Sequence, residues 1–190
     1  MPHSLFRSYR AYLQSKFGPG TIRKVTVDGG FSCPNIDGTV GAGGCAYCNN
    51  ESFSPAFALR RREGIIPVRD QVAAGIKRLA ASRKADRFIV YFQPFTNTHA
   101  PVDALKRLYD EALDHPAVAG LAVGTRPDCV DEEKLALLEN YASRMPVIVE
   151  YGLESAHDRT LAALNRGHDF AAFAAAMRLS AGRRFDIGVH

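Results

Sequence analysis

Residues 87–93 read Arg87-Phe88-Ile89-Val90-Tyr91-Phe92-Gln93, a nearly continuous apolar run of β-branched and aromatic side chains. Such a run suits a strand covered on both faces, as in a parallel sheet. The same kind of run returns at 118–124 (Val118-Ala119-Gly120-Leu121-Ala122-Val123-Gly124), 146–152 (Pro146-Val147-Ile148-Val149-Glu150-Tyr151-Gly152) and 184–190 (Arg184-Phe185-Asp186-Ile187-Gly188-Val189-His190). A β-branched stretch at 23–28 (Arg23-Lys24-Val25-Thr26-Val27-Asp28) precedes them. Helical stripes fill the gaps. Val68, Val72, Ile76, Leu79 and Ala80 follow Pro67, a first-turn residue, and Val102, Leu105, Tyr109, Ala112 and Leu113 follow Pro101. Asp131, Glu132 and Glu133 lead into Leu135, Leu138 and Ala142, with acids where the helix dipole favours them. Phe170, Phe173, Ala174 and Met177 form a fourth stripe ended by Gly182, and a leading helix around Leu5, Phe6, Tyr9 and Leu13 stops at Gly18-Pro19-Gly20.

Strand and helix in alternation predict an α/β fold with a parallel sheet, either rolled toward a barrel or opened as a doubly wound sheet. In both, chemistry belongs at the carboxyl ends of the strands, after residues 28, 93, 124 and 152. The chain has 190 residues, 46% hydrophobic and 23% charged, which is one domain's worth and excludes a disordered, collagen-like or disulfide-scaffold protein. The boundaries read as a helix and linker over 1–20 and a core over 21–190. No apolar run approaches the roughly 18 residues of a membrane span, and the polar start lacks a signal peptide's features, so the sequence predicts a soluble cytoplasmic protein without a membrane partner. The net charge is +4. Residues 1–62 hold eight basic and three acidic side chains, so the surplus lies in the first third. That is an ordinary basic surface or a face for an anionic ligand or nucleic acid, and charge alone does not choose.

Between the first strand and the first long helix, Cys33, Cys45 and Cys48 fall in a loop with six glycines over residues 29–48. Buried structural cysteines would sit among Val and Leu, and a reducing compartment disfavours a disulfide, which would leave one thiol odd. That leaves a metal. A structural zinc site needs four closed ligands, and the other cysteine, Cys129, and the histidines are scattered. An iron–sulfur cluster on three thiolates fits better, because it leaves one iron open for chemistry, where four-cysteine ligation is usual for an electron carrier.

The glycine-rich loop after the first strand, the Cys45-Ala46-Tyr47-Cys48 pair and the βα array resemble the radical S-adenosylmethionine superfamily. The C-x11-C-x2-C spacing and Cys33-Pro34-Asn35-Ile36-Asp37-Gly38-Thr39 are similar to its YhcC-like group, related to the Elongator catalytic-subunit, MiaB and NifB branches. The likeness extends to Tyr91–Thr98, to Gly124-Thr125-Arg126-Pro127-Asp128-Cys129, to Glu150–Asp158 and to Asn165-Arg166-Gly167-His168.

The resemblance implies a partial TIM-type (β/α) barrel, with about five parallel strands present and the C-terminal part missing. It implies a [4Fe–4S] cluster on Cys33, Cys45 and Cys48, whose open iron chelates S-adenosylmethionine. One electron from the cluster would cleave the cofactor reductively to methionine and a 5′-deoxyadenosyl radical, which abstracts hydrogen from substrate. Tyr47 would lie against the adenine, or else be a solvent-facing loop aromatic. Where relatives carry a Gly-Gly-Glu-type motif this chain has Gln93, Thr96 and Asn97, which offer acceptors to the methionine amino group or simply form the turn before the next helix. Glu150 or Ser155 would contact the cofactor, with a simple salt bridge the alternative for Glu150. Arg126 and Asp128 are a substrate-facing pair or a turn, and Cys129 is a buried or substrate-side thiol rather than a ligand.

The implied partners are a one-electron donor such as flavodoxin or ferredoxin and a substrate that is tRNA or an anionic small molecule. Two other readings stand beside this one: a zinc-binding or RNA-binding module using the cysteine loop, and an inactive fragment. The ending on His190, in or just after an apolar strand, reads as cut short, since an uncovered edge strand invites aggregation.

Overall fold

The computed structural model describes residues 5–83 and 85–190. In chain order the elements are α1 (Tyr9–Phe17), β1 (Ile22–Val27), α2 (Asn50–Phe53), α3 (Pro55–Glu63), α4 (Val68–Arg83), β2 (Arg87–Phe92), α5 (Val102–Leu113) and β3 (Val118–Thr125). A 3-10 turn (Pro127–Cys129), α6 (Glu132–Ala142), β4 (Val147–Tyr151), α7 (Asp158–Ala163), α8 (Phe170–Ser180) and β5 (Asp186–Val189) follow.

The five strands form one sheet in the order β1-β2-β3-β4-β5, every pair parallel. A doubly wound sheet would reverse its strand order at a switch point; this one runs straight through. The order therefore settles what the apolar runs left open, and the fold is α/β with five parallel strands of a partial barrel.

Alternation along the strands gives the sheet two apolar faces. The outer one carries Val25, Val27, Phe88, Val90, Phe92, Leu121, Val123, Val147, Val149 and Tyr151 into the main core. There they meet Val68 and Val72 of α4, Leu105 and Tyr109 of α5, Leu135 and Leu138 of α6 and Ala176 of α8. The inner face carries Ile22, Ile89, Ala122 and Ile148, packed by Tyr12, Leu13 and Phe17 of α1. α1 thus packs on the inner face of the sheet. Tyr12 Oη donates to Asp186 Oδ2 at 2.8 Å and Lys16 Nζ to Asp186 Oδ1 at 2.7 Å, tying the helix to β5.

Several boundaries differ from the sequence reading. Ser8 caps α1 by accepting from Ala11 N, so the helix starts at Tyr9 and leaves Leu5 and Phe6 exposed before it. Pro101 occupies the cap position of α5 rather than its first turn, and Pro67 lies just ahead of α4, where its carbonyl accepts from Gln71 N. The short helices α2, α3 and α7 bury little and carry no long apolar stripe, so periodicity does not announce them.

Candidate functional site

The loop from β1 to α2 is folded by its own polar groups. Cys33 O accepts from Ile36 N and Asp37 N, Pro34 O from Val40 N and Gly41 N, and Cys45 O from Cys48 N. Asp37 Oδ1 accepts from Thr39 N and Thr39 Oγ1, while Oδ2 lies 2.9 Å from His99 Nε2. The Thr39 hydroxyl and amide hold the Asp37 carboxyl well below its ordinary range. His99 thus latches the loop to the segment after β2.

Folded this way, the loop brings Cys33, Cys45 and Cys48 to one cavity of about 290 Å³ at the carboxyl ends of the strands. Tyr47, Gln93, Thr96 and Glu150 line the same cavity. Cys33 and Cys45 are buried; Cys48 is an exposed residue. The Cys48 thiol is nonetheless pushed up, first by its enclosure in the loop and then by Cys45 and Cys33, with Arg166 offsetting part of this.

The other predicted residues are placed unequally. Thr96 is 1% exposed, and its Oγ1 has no hydrogen-bond partner among the described residues. Asn97 is not in the cavity wall. Its Nδ2 donates to Phe92 O and Gly124 O, bracketing β2 to β3. Ser155 is not in the wall either: its Oγ accepts from His157 N ahead of α7. Glu150 faces the cavity and is already paired, with Lys24 Nζ at 2.5 Å from Oε1 and His190 Nε2 at 3.2 Å from Oε2. Burial pushes its carboxyl up, but the bonds from Lys24 and Tyr91 outweigh that and leave it below the ordinary range. For Glu150, salt bridge and cavity position therefore coexist.

Arg126 and Asp128 form a bidentate pair at 2.9 and 2.7 Å, and Arg126 Nη1 donates to Arg166 O at 2.7 Å. Cys129 is buried outside the cavity wall, its thiol pushed up to about 12 by burial and by Asp128.

Arg166 is the residue that the sequence reading passed over. Its Nη1 donates to Cys45 Sγ at 3.4 Å and its Nη2 to Gly152 O at 2.6 Å. A Cβ on residue 152 would stand 2.6 Å from that Nη2, so only glycine lets the guanidinium in. The Asn165–His168 motif was the available signal, but it names no partner. The non-glycine residues with positive φ among those described are Phe95 (64°), Glu154 (69°) and Asn165 (52°). Phe95 and Glu154 line the cavity, and Asn165 Nδ2 donates to Gly44 O beside Cys45. Backbone strain gathered at one place is a common mark of a functional site.

The donor set fits a cluster. Among the described residues no three His, Cys, Asp or Glu converge tightly enough for a single metal ion. A cubane instead spreads its thiolates over separate irons, which asks for sulfurs around one cavity rather than one point. The unpartnered Thr96 hydroxyl and Arg166 Nε supply polar atoms for a second, polar ligand in the same space. Among the described residues, no helix is long and apolar enough to cross a membrane.

A parallel sheet in sequential order with a thiol-lined cavity at the carboxyl ends of its strands defines a (β/α)-barrel protein with its site in the usual place. The chain belongs to the Radical SAM superfamily, whose model matches residues 37–189, with Cys33 just ahead of the matched stretch. It is 40% identical over 170 residues to Protein YhcC of Escherichia coli K12, covering 89% of this chain and 52% of that one. It is 38% identical over 165 residues to the uncharacterized protein YtqA of Bacillus subtilis, covering 87% and 50%. The resemblance to the YhcC-like group is thereby borne out, and the chain spans about half the length of these curated relatives. Among solved structures it is similar to the cobalamin-dependent S-adenosylmethionine radical enzyme OxsB, at 15% identity and a TM-score of 0.48 over 64% of this chain and 18% of that one.

Proposed function

We propose that the chain is a radical S-adenosylmethionine enzyme that holds a [4Fe–4S] cluster on Cys33, Cys45 and Cys48 and the cofactor in the adjoining cavity. The observation that carries this reading is the shared cavity: three thiols, Tyr47, Gln93, Thr96 and Glu150 all face it. When bound, the cluster supplies the electron that splits S-adenosylmethionine to methionine and a 5′-deoxyadenosyl radical.

The chain's own residues bind and orient. The Thr96 hydroxyl, buried and unpartnered, offers an acceptor to the cofactor's ammonium, and the Gln93 carbonyl offers another. Tyr47 stacks on the adenine, an offset contact worth about 1 kcal/mol. Glu150, fixed by Lys24 and His190, presents an ionised carboxylate to hydroxyl groups of the ligand. Asn97 Nδ2 and Ser155 Oγ hold backbone, closing the β2–β3 bracket and the turn before α7, while Asn97 Oδ1 is buried with no hydrogen-bond partner among the described residues. Phe95, packed edge-on against Phe57 at 5.1 Å, lines the cavity with an apolar ring that helps exclude water. The electron donor is a small carrier such as flavodoxin or ferredoxin, and the substrate is an anionic small molecule or tRNA, with either of which the basic first third is compatible.

Anaerobic reconstitution tests the reading. A brown protein with iron and sulfide in cluster proportion, which releases 5′-deoxyadenosine when given reductant and S-adenosylmethionine, supports it. A colourless protein that retains zinc on the same thiols contradicts it.

A further inference from the structure

The guanidinium of Arg166 is 7% exposed and held from several sides. Nη1 donates to Cys45 Sγ at 3.4 Å, Nη2 to Gly152 O at 2.6 Å, and Nε has no hydrogen-bond partner among the described residues. Its backbone is fixed as well, with Arg166 N donating to Leu161 O and Arg126 Nη1 donating to Arg166 O. Adjacent residues clasp the same loop: Asn165 Nδ2 donates to Gly44 O at 2.7 Å, and Ala46 N donates to Leu164 O at 2.9 Å.

Charge around the three thiols is uneven. Arg126 is matched by Asp128, and the described carboxylates form no ion pair with Arg166. Among the described residues Cys48 Sγ accepts from the neutral Asn50 Nδ2, at 3.7 Å, and Cys45 Sγ has the neutral Asn35 Nδ2 at 3.6 Å and the Tyr47 hydroxyl besides Arg166. Cys45 is thus the thiol with a buried cation on its sulfur.

We propose that Arg166 is a positioning residue that fixes Cys45 through a charge-assisted hydrogen bond and thereby raises the reduction potential of the cluster. This rests on the reading that Cys33, Cys45 and Cys48 hold a [4Fe–4S] group. One-electron reduction adds a single negative charge to the cluster and breaks no bond. A cation on a ligand sulfur stabilises the more negative, reduced form above the oxidised one, and low solvent exposure strengthens the effect. Gln at residue 166 removes the positive charge and shortens the side chain, whereas Lys keeps the charge.

The test is potentiometric titration, followed by EPR, of reconstituted parent, Arg166→Lys and Arg166→Gln proteins matched in iron content. The Gln variant is expected to titrate at a more negative potential and the Lys variant to stay near the parent. A fully loaded Gln variant with the parent's potential overturns the proposal. Should the Gln variant take up no cluster, amide hydrogen exchange of residues 42–48 in the folded metal-free proteins decides. Faster exchange confined to that loop, restored by Lys, supports the proposal, and parent-like exchange overturns it. A parent chain that takes up no cluster counts against the proposed function itself, and the exchange comparison then still judges Arg166.

Discussion

The ammonium of Lys24 lies 2.5 Å from Oε1 of Glu150, joining β1 to β4 across 126 residues of sequence. It also sits 4.1 Å above the ring of Tyr91 on β2. One cation on β1 thus touches side chains of β2 and β4 across the inner face, with β3 lying between those two. A carboxylate that is 8% exposed is tolerated there because it is matched twice, by Lys24 and by His190.

Removing one partner strands the other. Lys24→Ala leaves Glu150 without its cation and is expected to lower stability by about 3 kcal/mol, read from urea unfolding. A loss below about 1 kcal/mol would place the pair with ordinary surface ion pairs. The folded Glu150 carboxyl lies below its usual value of 4.5, through Lys24 and Tyr91 against the opposing effect of burial. Its contribution is therefore complete above that value and fades as pH falls toward the lower folded one. Glu150→Gln should lose stability at neutral pH and show a shallower acid limb than the parent.

Cluster assembly should discriminate among the four cysteines. Replacement of Cys33, Cys45 or Cys48 by Ala is expected to abolish it, whereas Cys129→Ala retains iron and sulfide at the parent level. Cys129 is buried and is not among the residues that line the cavity. Iron and sulfide analysis of the four proteins is sufficient, and loss of the cluster in Cys129→Ala would contradict the assignment.

Gly75 sets two effects in opposition. Alanine favours the interior of α4 by about 1 kcal/mol over glycine. A Cβ at residue 75 would stand 2.5 Å from Val25 Cγ1, where α4 rests on β1. Overpacking of that kind costs about 1–3 kcal/mol, so Gly75→Ala should be neutral to destabilising despite its helix propensity. A clear rise in thermal midpoint would show that the contact relaxes freely.

Much of this was legible in the residues. Continuous runs such as Phe88–Phe92 and Val147–Tyr151 could be read as doubly covered strands because both faces of the sheet are indeed apolar, one under α4, α5 and α6 and the other under α1. The spacing of Cys33, Cys45 and Cys48 singled out the loop. Strand order was not legible, since a single strand looks alike in a sequential and a reversed sheet. Nor were the partners of Glu150 and Cys45, whose matching charges lie 126 and 121 residues away. Nor were the backbone bonds of Asn97 and Ser155 legible. Their polar side chains after strand ends look the same whether they meet a ligand or close a turn.

Thr96 offers a probe of the cofactor pocket that leaves the thiols alone. Thr96→Val keeps the shape and removes the unpartnered hydroxyl, so cluster content should be unchanged while S-adenosylmethionine affinity falls about tenfold, near the lower end for one hydrogen bond to a charged group. Anaerobic calorimetric titration measures it. Equal affinity for parent and variant would mean that the hydroxyl faces no ligand.

The central claim is a cluster on three thiols with one iron left open to the cavity. The most direct measurement is the EPR spectrum of the reduced, anaerobically reconstituted protein before and after S-adenosylmethionine is added. A [4Fe–4S] signal whose g-values shift on addition is the predicted result. A signal indifferent to the cofactor, or the absence of any cluster signal in a protein whose thiols carry zinc, would contradict it.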